Sequence, residues 1–186
     1  MSLLRAREDI ETGAVLIRRE LPADHEVIRA VHCDAFRVTG NPDSTPPEAT
    51  LVGELRRSSA WMPTLSLVAI DDDTVVGHVV CSRGHIERQS ALGLAPIGVL
   101  PGHQRRGFGK ALMHAVLGAA DALGEPLVAL LGSPDYYSKF GFERASKYGI
   151  SPPLTEWEPA FQVRPLTAYD PSMRGTFQYA APFDAL

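Results

Sequence analysis

The chain has 186 residues, 45% hydrophobic and 22% charged, with a net charge of −4 and a pI near 5.8. That length suits one domain with an ordinary core, and the composition excludes global disorder. The acidic balance argues against a nucleic-acid partner, and no apolar run reaches the ~20 residues of a bilayer span, so the expectation is a cytoplasmic protein with no membrane partner.

Residues 1–13 are polar and charged and are expected to form an N-terminal arm. A domain is expected over 14–186, with its core at 15–146 and C-terminal strands within 160–181. Val15 to Glu20 has the pattern of a first strand. Pro22 to Asp24 opens a helix carrying Val27, Ile28, Val31 and Phe36 at helical spacing. Gly40 to Pro47 is a loop by composition, and Glu48 to Ser59 a second helix with Leu51, Val52 and Leu55 on one face. Leu65–Ile70 and Thr74–Cys81 form a hairpin across Asp71-Asp72-Asp73, a turn sequence before it is a metal site. Ala91 to Leu100 is the next strand. Pro96 cannot donate to a ladder, so a bulge is expected there, with the strand splaying from its neighbour.

A helix follows from Ala111, with Leu112, Ala115, Val116, Ala119 and Leu123 inward and Gly124 and Pro126 as its stop. Leu127 to Leu131 is a short strand apolar throughout. Asp135 to Phe140 is a brief helix, and Gly141 to Ala145 a returning strand. Two further strands are expected at Phe161–Leu166 and Thr176–Ala181. This order predicts a single α/β (α+β) domain: a central mixed, mostly antiparallel sheet with a splayed strand pair and helices on both faces. Cys33 and Cys81 lack metal-ligand spacing and are expected to be reduced core thiols. The six histidines form no metal-spaced cluster, and no metal is expected.

The segment between the proline-interrupted strand and the next helix carries the chemistry. Arg105, Arg106 and Lys110 are fixed positive charges, and no Asp or Glu occurs between Glu87 and Asp121. A helix start normally attracts a carboxylate or a Ser, Thr or Asn cap, because its first amides are unpaired. None is supplied here, which suggests that an outside anion completes the end. A Walker A loop does not fit, since Lys110 is followed by Ala111. A dinucleotide fingerprint fails at Leu112, where a third glycine or alanine belongs. Gln104-Arg-Arg-Gly-Phe-Gly109 fits Gln/Arg-x-x-Gly-x-Gly/Ala.

With Ile97-Gly98-Val99 before it and Lys110 to Met113 after it, this segment resembles the acyl-CoA signature of the GNAT N-acetyltransferase superfamily. Tyr136-Tyr-Ser-Lys-Phe-Gly-Phe142 resembles a second block of that family, and Val76 to Val80 a weaker third. The resemblance implies acetyl-CoA as co-substrate, bound through Ile97, Gly98, Val99, Gln104, Arg105, Arg106, Gly107, Phe108, Gly109 and Lys110. For the Phe108 side chain, core packing and adenine stacking both stay open. It implies acetyl transfer to the amine of a small molecule or peptide, with Tyr137 protonating the departing thiolate; a core tyrosine on a short helix is the alternative for Tyr137, and Tyr136, pointing elsewhere on that helix, is expected to be structural. A homodimer is left open.

The general base has no clear owner, since residues 90–100 hold no carboxylate. Glu87, His85 and His78 are the nearby candidates, each with a structural role as the alternative. Trp61 and Trp157 flank loops where an acceptor could bind, or simply pack. The missing base keeps a second reading alive, a non-catalytic acyl-CoA-binding or regulatory module.

Overall fold

A computed structural model describes residues 15–37 and 45–185. The expected N-terminal arm and most of the Gly40–Pro47 loop lie outside the described residues. Strand β1 (Leu16–Arg19) leads through a 3-10 turn begun by Pro22 into α1 (His25–Ala35). Helix α2 (Pro47–Arg57) begins on a proline, whose fixed φ and missing N–H suit a first helical position. Strands β2 (Ser66–Asp71) and β3 (Thr74–Ile86) form the first hairpin. Asp72 and Asp73 adopt φ 45° and 61°, the left-handed pair that a two-residue turn needs.

β3 runs five residues beyond the expected end at Cys81 and turns at Glu87 into β4 (Gln89–Val99). Ser82 to His85 alternate in burial as a strand does but carry no apolar side chain to show it in the sequence, and the stretch is held by its neighbours. β4 pairs along it, and the C-terminal β9 (Gly175–Gln178) pairs with His85 and Ile86. Phe177 lies so close over Gly84 that a Cβ there would sit 2.6 Å from its ring.

After β4 come α3 (Phe108–Ala122), β5 (Leu127–Leu131), the one-turn α4 (Pro134–Tyr137), the two-residue β6 (Glu143–Arg144) and β7 (Ile150–Ser151), and β8 (Phe161–Pro165). The main sheet has the order β1-β2-β3-β4-β5-β8-β6, with only β4–β5 parallel along that path. Helix α3 covers one face. Its buried stripe is Phe108, Leu112, Met113, Val116, Leu117 and Ala120, packed on β2, β3 and β5. Leu123, expected inward, is 49% exposed. It lies past the last helical residue, just before Gly124 turns the chain at φ 74° toward β5. The opposite face is covered by α1 and α2 through Ile28, Val31, Leu51, Val52 and Leu55. Helices therefore lie on both faces. Among the described residues, no helix is long and apolar enough to cross a membrane.

Candidate active site

The sheet opens at the end of β4. β5 pairs with β4 only at Leu92 and Gly93, opposite Val128 and Ala129. Beyond them lies the irregularity expected at Pro96, where the ladder to β3 skips from Cys81–Leu94 to Val79–Ile97. One bond sets the polarity of the strand end: the Leu100 N–H donates to the Val76 carbonyl at 2.9 Å. Antiparallel bonding alternates residue by residue. Gly98 therefore bonds toward β3, and the N–H and C=O groups of Ile97 and Val99 face the other edge, where β5 has stopped pairing. The Val99 carbonyl receives the Gln104 side-chain amide at 3.1 Å, which ties the next loop to the strand end.

Ile97, Gly98 and Val99 form one end of a cleft of about 460 Å³, Arg105, Gly107 and Lys110 line its loop side, and Tyr136 and Tyr137 its far wall. Arg105 and Gly107 take φ 60° and 98°; at Gly107 this left-handed turn opens α3, and glycine adopts it without steric cost. Among the described residues, the amides of Arg105 through Lys110 donate to no protein acceptor, and α3 has neither a side-chain cap nor an acid in its first turn. Six consecutive N–H groups beside two cations make a strong anion seat.

The cationic side chains divide. Arg105 and Lys110 line the cleft, whereas Arg106 pairs with Asp71 at 3.0 Å and lies over the Phe108 ring. Phe108 is 3% exposed and belongs to the α3 core, so its share in the loop is its main chain.

Tyr137 stands at the mouth of β5. Its ring lies against Gly132, so close that a Cβ there would collide with it. Burial, with Tyr136 adding to it, pushes the Tyr137 phenol up to about 12. It therefore stays protonated at neutral pH. Tyr136, expected to be structural, also lines the cleft, and a Cβ on Gly109 would lie 3.2 Å from its hydroxyl.

A second cavity, of about 490 Å³, meets the first at Ile97 and Tyr137, which line both. Aromatic and aliphatic side chains dominate it, among them Trp157, and Glu48 is its one charged residue among the described residues. Trp61 instead packs with the α1–α2 core and under Arg56.

The candidate bases are dispersed. Glu87 and His85 lie at the far end of the β3–β4 hairpin, roughly 30 Å along β4 from Val99 at the usual rise per residue. His78 is fully buried, between His32 and Ser66. His32 and Glu48 were not foreseen. Nothing local marks a histidine on an apolar helix face as the partner of another 46 residues away, and Glu48 looks like an ordinary first-turn acid.

Residues 17–145 match the family model described as an acetyltransferase (GNAT) domain. The chain is 33% identical over 155 residues to the uncharacterized N-acetyltransferase YhbS of Escherichia coli K12, covering 82% of this chain and 87% of that protein. The crystal structure of Escherichia coli YhbS in complex with CoA superposes with a TM-score of 0.81 at 32% identity, covering 91% of this chain and 92% of that one. A GNAT family acetyltransferase from Brucella melitensis in complex with acetyl-CoA gives 0.75 at 33% identity, covering 92% and 99%.

Proposed function

This chain belongs to the GNAT acetyltransferase family, and we propose that it moves the acetyl group of acetyl-CoA to a primary amine by direct attack in a ternary complex. The observation that carries this reading is the junction of the two cavities at Ile97 and Tyr137. One side offers amides and cations for a diphosphate, and the other offers room for a second substrate. A module that only sensed acyl-CoA would have no use for the second. The CoA and acetyl-CoA held by the two solved relatives support the choice of donor. The cytoplasm, which holds that donor, is the compartment this reading implies.

The coenzyme diphosphate is read onto the amides of residues 105–110, with Arg105 and Lys110 beside it. The pantetheine arm then lies along β4 as an added strand, using the outward N–H and C=O groups of Ile97 and Val99. The Ile97 N–H, where the arm reaches the junction of the two cavities, is assigned the thioester oxygen, where negative charge grows as the amine attacks. Holding both substrates at the junction supplies much of the rate. The nitrogen bonds to the carbonyl carbon, the C–S bond breaks, and Tyr137 gives its proton to the sulfur. The proton released by the nitrogen restores the phenol. A phenol near 12 is a weak acid, so it acts on sulfur only as the leaving charge develops.

Thiol release from acetyl-CoA across a panel of amines tests the reading. Turnover in the native chain, with turnover sharply lowered and acetyl-CoA affinity kept in Tyr137→Phe, is the expected result. Binding without turnover for every amine would replace it with the sensor reading.

A further inference from the structure

The second cavity restricts the kind of amine, an inference that rests on the acetyl-transfer reading. Trp157, Tyr179 and Phe183 form a continuous aromatic wall. Trp157 meets Tyr179 edge-on with ring centres 6.4 Å apart, and Tyr179 stacks on Phe183 at 4.6 Å. Phe36, Leu51 and Leu94 extend the apolar lining. Glu48, half-buried in the first turn of α2, is the one charged side chain there and has no ion pair among the described residues. The cations nearest in function, Arg105 and Lys110, line the other cavity.

We propose that the acceptor is a primary amine with a single positive charge on an apolar, ring-bearing body, drawn in as its cation by Glu48. The apolar body removes hydrophobic area from water against the aromatic wall. A carboxylate that is the one charge among the described lining residues attracts one ammonium. A polyamine or aminoglycoside would bring further charges that leave water and find no partner. An amino acid would set its own carboxylate beside Glu48 with no cation to receive it. A peptide main chain would bring amides that an apolar wall cannot satisfy. The cavity has room for a body of arylalkylamine size or larger. The ammonium loses one proton before attack and the nitrogen a second as the amide forms. One of these ends on the coenzyme sulfur and the other in solvent.

The test is thiol release by the full chain with acetyl-CoA and 2-phenylethylamine, tryptamine, spermidine, kanamycin or L-lysine. Calorimetry of 2-phenylethylamine into CoA-saturated protein runs beside it. Expected are kcat/KM values for the two aryl amines at least about tenfold above the rest, and in Glu48→Gln a KM for 2-phenylethylamine raised about tenfold. Unchanged acetyl-CoA affinity in that variant shows that the fold is intact. Preference for spermidine, kanamycin or lysine, or an indifferent Glu48→Gln, overturns the acceptor class and leaves acetyl transfer standing. Should no amine be turned over, the transfer reading falls. The calorimetry then decides the cavity alone: 2-phenylethylamine binding weakened by Glu48→Gln upholds it, and no binding overturns it.

Discussion

His32 Nε2 lies 2.8 Å from His78 Nδ1, and both rings are fully buried between α1 and β3. The network around them fixes their protons. The Ser66 hydroxyl donates to Glu20 at 2.6 Å, so at His78 Nε2 it accepts. His78 then accepts at Nδ1 from the His32 Nε2–H, and His32 Nδ1 keeps a lone pair without a partner among the described residues. That atom sits over Gly98, where a Cβ would come within 2.9 Å of it. The relay so braces the strand end that lines the cleft, and it ends at Glu20, which Arg56 grips at 2.7 and 2.9 Å.

This arrangement makes the fold acid-sensitive. Burial holds both histidines below the ordinary value and outweighs the Glu20 bond to His78. Burial alone would raise Glu20, but hydrogen bonds from His78, Arg56 and Ser66 hold it well below the usual carboxylate range. Below pH about 6.5 the unfolded chain takes up protons at His32 and His78 that the native chain refuses, so stability falls by up to about 1.4 kcal/mol per pH unit for each. Below about pH 4.5, protonation of Glu20 in the unfolded chain adds to the loss. Urea unfolding at pH 7.5 and 5.5 checks this. A lower midpoint at pH 5.5 is expected, and equal stability would contradict the neutral relay.

Gly132 and Tyr137 should act as a unit. Gly132→Ala drives a methyl group into the Tyr137 ring, which must shift. Turnover is expected to fall about tenfold or more, while Gly132→Ala in a Tyr137→Phe background adds little. Steady-state kinetics on the four proteins measure the coupling, and full additivity would separate the two residues.

The three loop cations should not be equivalent. Arg105→Ala and Lys110→Ala should each weaken acetyl-CoA binding about fivefold to tenfold at low salt, and less as salt rises. Arg106→Ala removes a side chain already engaged with Asp71 and should do less. Calorimetric titration at two ionic strengths ranks them, and an Arg106 effect equal to the others would contradict the division.

The parts of this molecule legible in its sequence are those whose cause is local. Gln104 to Gly109 is recognisable because an anion seat of consecutive amides needs consecutive residues, and the Gly-Phe pair at 141–142 locates Tyr137. The opening at Pro96 follows from one missing donor. The extension of β3 to Ile86 depends on β9, more than 80 residues later, and cannot be seen in Ser82-Arg-Gly-His85. Leu123 shares the apolar spacing of α3 but lies past its end. The His32–His78 contact and the place of Glu48 in a cavity arise only when α1 and α2 settle on the sheet. Sequence order therefore makes the lining of the first cleft legible, and of the second cavity it shows only Trp157 as a candidate.

The proposed transfer depends first on the N–H groups around Gly107 and Gly109 holding the coenzyme diphosphate. Backbone amide NMR of the isotope-labelled chain, titrated with acetyl-CoA, addresses it most directly. The largest shifts are expected at Arg105 to Lys110, with Ile97 and Val99 next. Saturable binding that leaves the 105–110 amides unmoved would contradict the claim.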